Sequence, residues 1–238
     1  MPSAVVDVRT SGVGVLRQVF GPSEVAEARR LVLEHRHLLR NTRPTPSAGH
    51  LAGFHRYPSL EPLHAMLSQH PQVMACVAEL CGPGARTIGL SDITVNRSQP
   101  WHKDLLRGHY REYVGAADPC ARWHGTVFKF LAYLQPSASL AVVVGSHEQD
   151  LDLRSDDNAV PGPDREVRIV PVDAGDVVVL DVCTTHRGST EEAFASPDAD
   201  AFPKILVSTV FGTAGNELTD RLELGNAVRL ADWTRRHG

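Results

Sequence analysis

The sequence predicts a mainly β fold of the sandwich or jelly-roll type with helices flanking it. Three observations lead there. Between Gly84 and Asn216, short segments rich in Val, Ile, Leu, Phe and Thr recur at intervals: "RTIGLSDITVN", "TVFKFLAYLQ", "LAVVVGSH", "EVRIVPV", "DVVVLDVCTTH" and "KILVSTVFG". Each is bounded by Gly, Pro, Asp or Ser clusters, the punctuation expected of strands joined by turns. No helical pattern of about ten residues separates them, which argues against a doubly wound parallel sheet.

Taken in order, the chain first shows an amphipathic helix from Pro22 to Leu39. Val25, Ala28, Leu31, Val32, Leu38 and Leu39 recur at helical spacing behind "GPS", with Ser23 expected as the cap. A Pro/Gly-punctuated loop follows, "NTRPTPSAGHLAGFHRYPS". The stretch "LEPLHAMLSQHPQVMACVAELCGPG" then reads as two short helices divided at Pro71 and stopped by Gly82-Pro83-Gly84. The strands come next, "EEAFASPDADAFP" among them being a small-residue acidic loop. A last amphipathic helix spans about Glu217 to Arg236. One domain over 1–238 is expected: a mainly helical portion to residue 84, a β core over 85–216 and a C-terminal helix over 217–238.

Composition narrows the function. With 238 residues, 42% hydrophobic and 22% charged, the chain can bury a substantial core. A net charge of -4 gives no basic field for gripping phosphates, so no nucleic-acid partner is expected. The start lacks a signal peptide's basic and apolar regions, and no run is apolar enough to cross a bilayer, so a cytoplasmic protein without a membrane partner is expected. Cys76, Cys81, Cys120 and Cys183 show no C-x-x-C spacing and read as reduced and structural. A small-molecule substrate is the expected partner; oligomeric state is not legible.

The chemistry centres on "QPWHKDLL". If His102 and Asp104 lie on extended backbone, the period of two puts both side chains on one face and turns Lys103 away. A chain with 12 histidines shows an H-x-D by chance about once, so a third ligand is needed. "GDVVVLDVCTTHRGST" offers His186 at the end of a buried strand. Two imidazoles and one carboxylate on one side of an ion suit non-haem Fe(II) and leave neighbouring positions open. The same set also makes a hydrolytic zinc site, and spacing alone is equally compatible with a surface ion pair and a strand-end histidine.

The ordered blocks "PWHKD", "FKFLAYLQPSASLAVVVGSH", "AGDVVVLDVCTTHRGST" and "PKILVSTVFG" resemble the phytanoyl-CoA dioxygenase family of Fe(II)/2-oxoglutarate oxygenases, from about Asn96 to Asn216. The resemblance implies a double-stranded β-helix, a cupin-like jelly roll with the N-terminal helices packed on its outside. It implies His102, Asp104 and His186 as iron ligands, with 2-oxoglutarate and O2 as cosubstrates. A non-oxidative jelly-roll binding protein or a zinc hydrolase is the alternative. Related halogenases carry a small residue at the position of Asp104, so hydroxylation, oxidative ring closure or desaturation is implied instead.

This sequence departs from the family pattern twice. The P-G-S-H turn is Val144-Gly145-Ser146-His147, which keeps the turn glycine. The family's arginine for the distal carboxylate of 2-oxoglutarate is replaced by Lys204, which keeps the charge and loses the bidentate fork. Lys204 and Ser208 share a strand face, a cation beside a hydroxyl. Lys129 is the rival anchor and Arg187 a weaker third.

Substrate contacts are expected from "LLRGHYREYVGAADPCARWHG", which brings Arg107, His109, Tyr110, Arg111, Tyr113, Trp123 and His124, and from Asn96 and Trp101 before it. Arg107, Arg111 and Arg122 are few cations for a CoA. Flat aromatic faces beside hydrogen-bonding groups suit a sugar ring. Bacterial members of the family include tailoring oxygenases of oligosaccharide (orthosomycin-type) antibiotic biosynthesis, which this chain resembles in size.

Overall fold

The computed structural model describes residues 3–42, 45–104, 108–115, 119–149, 164–195 and 198–237. Helix α1 (Ser3–Ser11) and strand β1 (Val13–Leu16) lead into α2 (Pro22–Glu34), β2 (Arg40–Asn41) and β3 (Gly49–Ala52). Helices α3 (Glu61–Ser68) and α4 (Pro71–Cys81) follow, then β4 (Arg86–Thr87), β5 (Asp92–Val95), α5 (Gly108–Val114) and α6 (Pro119–Trp123). Strands β6 (Val127–Tyr133), β7 (Ser137–Val143), β8 (Val167–Val172), β9 (Val177–Asp181) and β10 (His186–Arg187) come next. Helix α7 (Asp198–Ala201), β11 (Ile205–Gly212) and α8 (Glu217–His237) end the chain. Among the described residues no helix is long and apolar enough to cross a membrane.

Two antiparallel sheets result, the jelly-roll pairing expected of short strands. The larger runs β1-β9-β6-β11-β5-β3-β2, with β4 also on β11, and the smaller runs β10-β7-β8. Strand alternation assigns the two faces of the larger sheet. Phe128, Phe130 and Ala132 of β6, with Ile205 and Val207 of β11, join one buried cluster with Val25, Ala28 and Val32 of α2, Leu63 and Leu67 of α3 and Val73 and Val77 of α4. The alternate residue Tyr133 packs instead with Leu140 and Val142 of β7 and Val170 and Val172 of β8, and Leu131 lies against the same cluster. Burying each large apolar side chain contributes roughly 1.5–3 kcal/mol, so the strand period fixes which face carries the helices.

The helix boundaries follow local chemistry. Pro22 has no N–H and sits at the first helical position of α2, which makes Gly21 the cap; Glu24 Oε2 accepts from Gly21 N at 2.8 Å. Ser23 is therefore inside the helix and does not cap it. The helix also stops at Glu34, with a separate short turn over Arg36–Leu38. The break at Pro71 is as expected, with His70 Nδ1 accepting from Gln72 N at 3.3 Å, and α4 ends at Gly82 with φ 74.

Several elements carry no local signal. Helix α1 is rich in β-branched valines, poor helix formers, and its burial of Ala4, Val5 and Val8 outweighs propensity. Strand β1 passes so close to α1 that a Cβ at Gly14 would lie 2.2 Å from Ala4 O. Strand β3, inside the segment expected to be a loop, is held by pairing with β5. The segment after Asp104 contains α5 and α6, and the acidic loop contains α7.

Candidate active site

His102 and His186 face each other across an isolated antiparallel bridge, each N–H donating to the other's carbonyl at 2.9 Å. Such directly opposed residues project side chains to the same face, and the imidazole centroids are 4.2 Å apart. His102 Nδ1 donates to Pro100 O at 2.7 Å and His186 Nδ1 to Thr184 O at 2.9 Å. A carbonyl carries no proton, so each ring holds its proton on Nδ1 and turns the Nε2 lone pair inward, as metal-binding imidazoles require. Burial pushes the His186 imidazole down to about 3, which keeps it neutral. One donor atom from each of His102, Asp104 and His186 falls within 4.8 Å of the others. Two oriented neutral imidazoles and one carboxylate thus fit a divalent ion.

The carboxylate is held from two sides. Asp104 Oδ1 lies 3.5 Å from His102 Nε2, and Oδ2 accepts from Lys129 Nζ at 3.1 Å. Burial by itself raises the carboxyl, but the Lys129 ammonium beside it holds it well below the usual carboxylate range. Lys103 points away from the cluster, into the protein rather than into solvent. It is buried, and its ammonium donates to the carbonyls of Ser146 at 2.6 Å, Gln149 at 2.9 Å and Cys183.

Asp104 and His186 of the donor cluster line a cavity of about 330 Å³ that also holds Lys204, Lys129, Tyr133, Ser189 and Ser208. Lys204 Nζ donates to Ser189 Oγ at 2.8 Å and to Ser139 Oγ, and lies 5.6 Å from the Tyr133 ring centroid. The hydroxyls touching it are therefore these two; Ser208, on the same face of β11, lines the cavity and donates to Asp92 O at 3.4 Å. No carboxylate pairs with Lys204 among the described residues. Burial pushes its ammonium down to about 8. Lys129, the rival anchor, is already committed to Asp104.

Part of the cavity wall is built from residues that sequence reading missed. Asp92 on β5 receives two guanidinium bonds from Arg229 of α8, at 2.8 and 2.6 Å, and one from His50 Nε2 of β3 at 3.1 Å. Burial opposes the Asp92 charge, and Arg229 outweighs it, holding the carboxyl well below its usual range. Thr94, Arg97 and Gln99 complete this polar wall. The one available signal was the alternation in "SDITVN", which puts Asp92 and Thr94 on one face.

Of the residues expected to meet substrate, His109 and Tyr110 line the cavity. His109 Nε2 lies 2.6 Å from Asp232 Oδ2, and Tyr110 donates to Asn226 Oδ1 at 3.1 Å. Arg111, Tyr113, Trp123 and His124 are not among the described lining residues. Trp123 is buried in a cluster with Cys120 and Leu218, and His124 Nδ1 donates to Cys120 O at 2.8 Å. Trp101 packs with Ala141 and Val143 beneath Arg187, which turns away from the cluster. Asn96 is buried: its Oδ1 accepts from Lys204 N at 2.7 Å and its Nδ2 donates to Ala199 O at 2.8 Å, so it fixes the start of β11 and does not line the cavity. Arg107 lies outside the described residues.

The family model described as phytanoyl-CoA dioxygenase matches residues 8–192, most of the chain. The chain belongs to the phytanoyl-CoA dioxygenase family. It is accordingly a 2-oxoglutarate-dependent non-haem iron dioxygenase, using Fe(II), 2-oxoglutarate and dioxygen. Solved structures of this fold include the non-haem α-ketoglutarate-dependent carbocyclase SnoK from nogalamycin biosynthesis, at 19% identity and TM-score 0.66, covering 90% of this chain and 84% of SnoK. The epimerase SnoN of the same biosynthesis has 19% identity and TM-score 0.64, covering 89% and 82%. HygX from Streptomyces hygroscopicus, with nickel, 2-oxoglutarate and hygromycin B bound, has 20% identity and TM-score 0.62, covering 90% and 88%. No curated protein matches the sequence.

Proposed function

We propose that this dioxygenase oxidises an unactivated C–H of a small polar substrate, by hydroxylation or oxidative cyclisation, with His102, Asp104 and His186 as the iron ligands. The observation that carries this reading is that Asp104 and His186 of the donor cluster line the same cavity as Lys204, which offers one space to a dicarboxylate between the two. When bound, iron with 2-oxoglutarate and dioxygen supplies decarboxylation to succinate and carbon dioxide together with removal of hydrogen from the substrate. The chain's own residues position and exclude. Lys204, with Ser189 and Ser139, receives the distal carboxylate of 2-oxoglutarate as a charge-assisted hydrogen bond. Leu131, Leu140 and Leu206 give its methylenes an apolar wall. Orientation of the reacting carbon is the chain's contribution.

The polar wall around Asp92 sets the substrate class. Asp92, Arg229, His50, Thr94 and Gln99 offer hydrogen-bonding groups, and Tyr110 and Leu90 offer apolar surface. That mixture suits a ring with hydroxyls on one edge, hence a glycoside of secondary metabolism, and the cations Arg229 and Lys129 are paired with Asp92 and Asp104 rather than gathered for the phosphates of a CoA. HygX, with hygromycin B bound, and SnoN, in complex with nogalamycin RO, are precedents on the same fold for a small-molecule substrate. The test is succinate release, measured in the presence of glycosides, acyl-CoAs and free amino acids. Stimulation by a glycoside is expected; stimulation by an acyl-CoA with none by any glycoside rejects the substrate class.

A further inference from the structure

The ion pair between Lys129 and Asp104 has a chemical consequence for a site that must keep positions open. A carboxylate can bind an ion through one oxygen or through both. On a six-coordinate ion, two imidazoles and a one-oxygen carboxylate would occupy three positions and leave three for a chelating 2-oxoacid and dioxygen, whereas a two-oxygen carboxylate would occupy a fourth and leave dioxygen without one.

The two oxygens of Asp104 are not equivalent. Oδ1 lies 3.5 Å from His102 Nε2, on the side where the imidazole lone pairs converge. Oδ2 is engaged by Lys129 Nζ at 3.1 Å. The lysine is firmly placed, because β6 is an interior strand: Lys129 is paired to Leu180 of β9 on one side and to Val210 of β11 on the other. Asp104 lies outside the named strands, so its side-chain direction is set by what it touches. Lys129 lines the cavity, and its ammonium meets the Asp104 carboxylate there.

Resting on the ligand assignment proposed above, we propose that Lys129 is a positioning residue that reserves Asp104 Oδ2 and so keeps Asp104 a one-oxygen ligand. The proposal makes an unusual directional demand. Removing Lys129 frees a second ligand oxygen and removes a cation from beside a divalent ion, so metal binding is retained or strengthened while reaction with dioxygen is lost. A lysine that merely supports Asp104 gives the opposite sign, since its loss then weakens metal binding.

The experiment compares full-length wild type, Lys129→Met and Lys129→Arg. Co(II) affinity is measured by calorimetry on the metal-free proteins, 2-oxoglutarate binding on the Co(II)-loaded proteins, and nitric oxide binding, as a probe of the dioxygen position, by electron paramagnetic resonance of the Fe(II)·2-oxoglutarate proteins. Lys129→Met is expected to bind Co(II) at least as tightly as wild type, up to about tenfold tighter. Its nitric oxide affinity and kcat are expected to fall at least tenfold. Lys129→Arg, which still donates to Oδ2, is expected to recover most of both. A fall of tenfold or more in Co(II) affinity in Lys129→Met overturns the proposal, as does unchanged nitric oxide affinity; loss of 2-oxoglutarate binding alone makes Lys129 the cosubstrate anchor instead. If wild type binds Co(II) no better than His186→Ala, it is the ligand assignment that fails. If Lys129→Met does not fold, Lys129→Gln takes its place, read by the same Co(II) and nitric oxide measurements with the same outcomes for and against the proposal.

Discussion

Lys103 donates its ammonium to the carbonyl of Cys183, three residues before His186, and so ties the segment carrying two proposed ligands to the segment carrying the third. The same ammonium also holds Ser146 O and Gln149 O, and the Ser146 hydroxyl in turn accepts from Thr185 N at 2.9 Å. A Lys103→Met chain fills the space and removes the ammonium from all three carbonyls, leaving Ser146 O with Gln149 N at 3.4 Å and Cys183 O with the weak donor Cys120 Sγ at 3.8 Å. At roughly 1–3 kcal/mol for each buried group left unsatisfied, offset by no longer burying a charge, the net loss is about 2–4 kcal/mol. Urea unfolding of the metal-free protein measures it; a change under 0.5 kcal/mol shows that the clamp does not stabilise the fold.

Replacing His102 or His186 by alanine removes one of three proposed protein ligands. Turnover of 2-oxoglutarate and Fe(II) affinity are expected to collapse together, with far-UV circular dichroism retained. Full turnover in both variants sinks the ligand assignment.

Lys204→Met leaves the distal carboxylate of 2-oxoglutarate without its charged partner, at a cost of roughly 1.5–3 kcal/mol. Weaker 2-oxoglutarate binding by one to two orders of magnitude is the expected titration result. Unchanged affinity removes Lys204 from the site.

The Lys204 charge also predicts a pH dependence. Its ammonium lies at about 8 in the folded protein against an ordinary 10.5, because burial disfavours the cation. Below pH 8 it is charged and ready for a carboxylate; above pH 8 binding must first take up a proton. Affinity for 2-oxoglutarate should therefore fall by up to tenfold per pH unit above 8 in wild type and stay flat in Lys204→Met. In the ligand-free protein the sign for stability is opposite: the burial penalty is present below pH 8 and is relieved as pH rises toward 10.5. Calorimetry in buffers of different ionisation enthalpy, at pH 8.5 or so, reads the proton uptake directly.

Arg229→Met removes the only guanidinium on Asp92 among the described residues and leaves the half-buried carboxylate to His50 Nε2 and Gly53 N. Breaking such a pair from one side costs about 3–5 kcal/mol, whereas Asp92→Asn combined with Arg229→Met removes both charges and should recover part of the loss. Thermal unfolding of the two variants distinguishes a paired network from independent contributions; equal losses in both argue against the pairing.

Much of this protein is written locally. The turn-bounded apolar segments fixed the strands because a period of two decides which side chains face a core, and the same rule put Lys204 and Ser208 on the cavity face of β11. His102, Asp104 and His186 were legible as a set because ligand residue types occur at strand ends in the order that the family blocks keep. Local signals did not decide α1 and β3, whose stability comes from burial against and pairing with residues remote in sequence. Nor did they decide partners. His50 and Arg229 reach Asp92 from 42 and 137 residues away, and Arg229 lies in a helix with Arg221, Arg235 and Arg236, where periodicity cannot tell a cavity wall from a solvated face. Lys129 and Lys204 both read as free cations on strand faces; folding gave one a carboxylate and the other two hydroxyls. Periodicity sets the direction in which a side chain leaves the backbone, but which charge it meets depends on the apposition of distant segments, and only the tertiary structure supplies that distance.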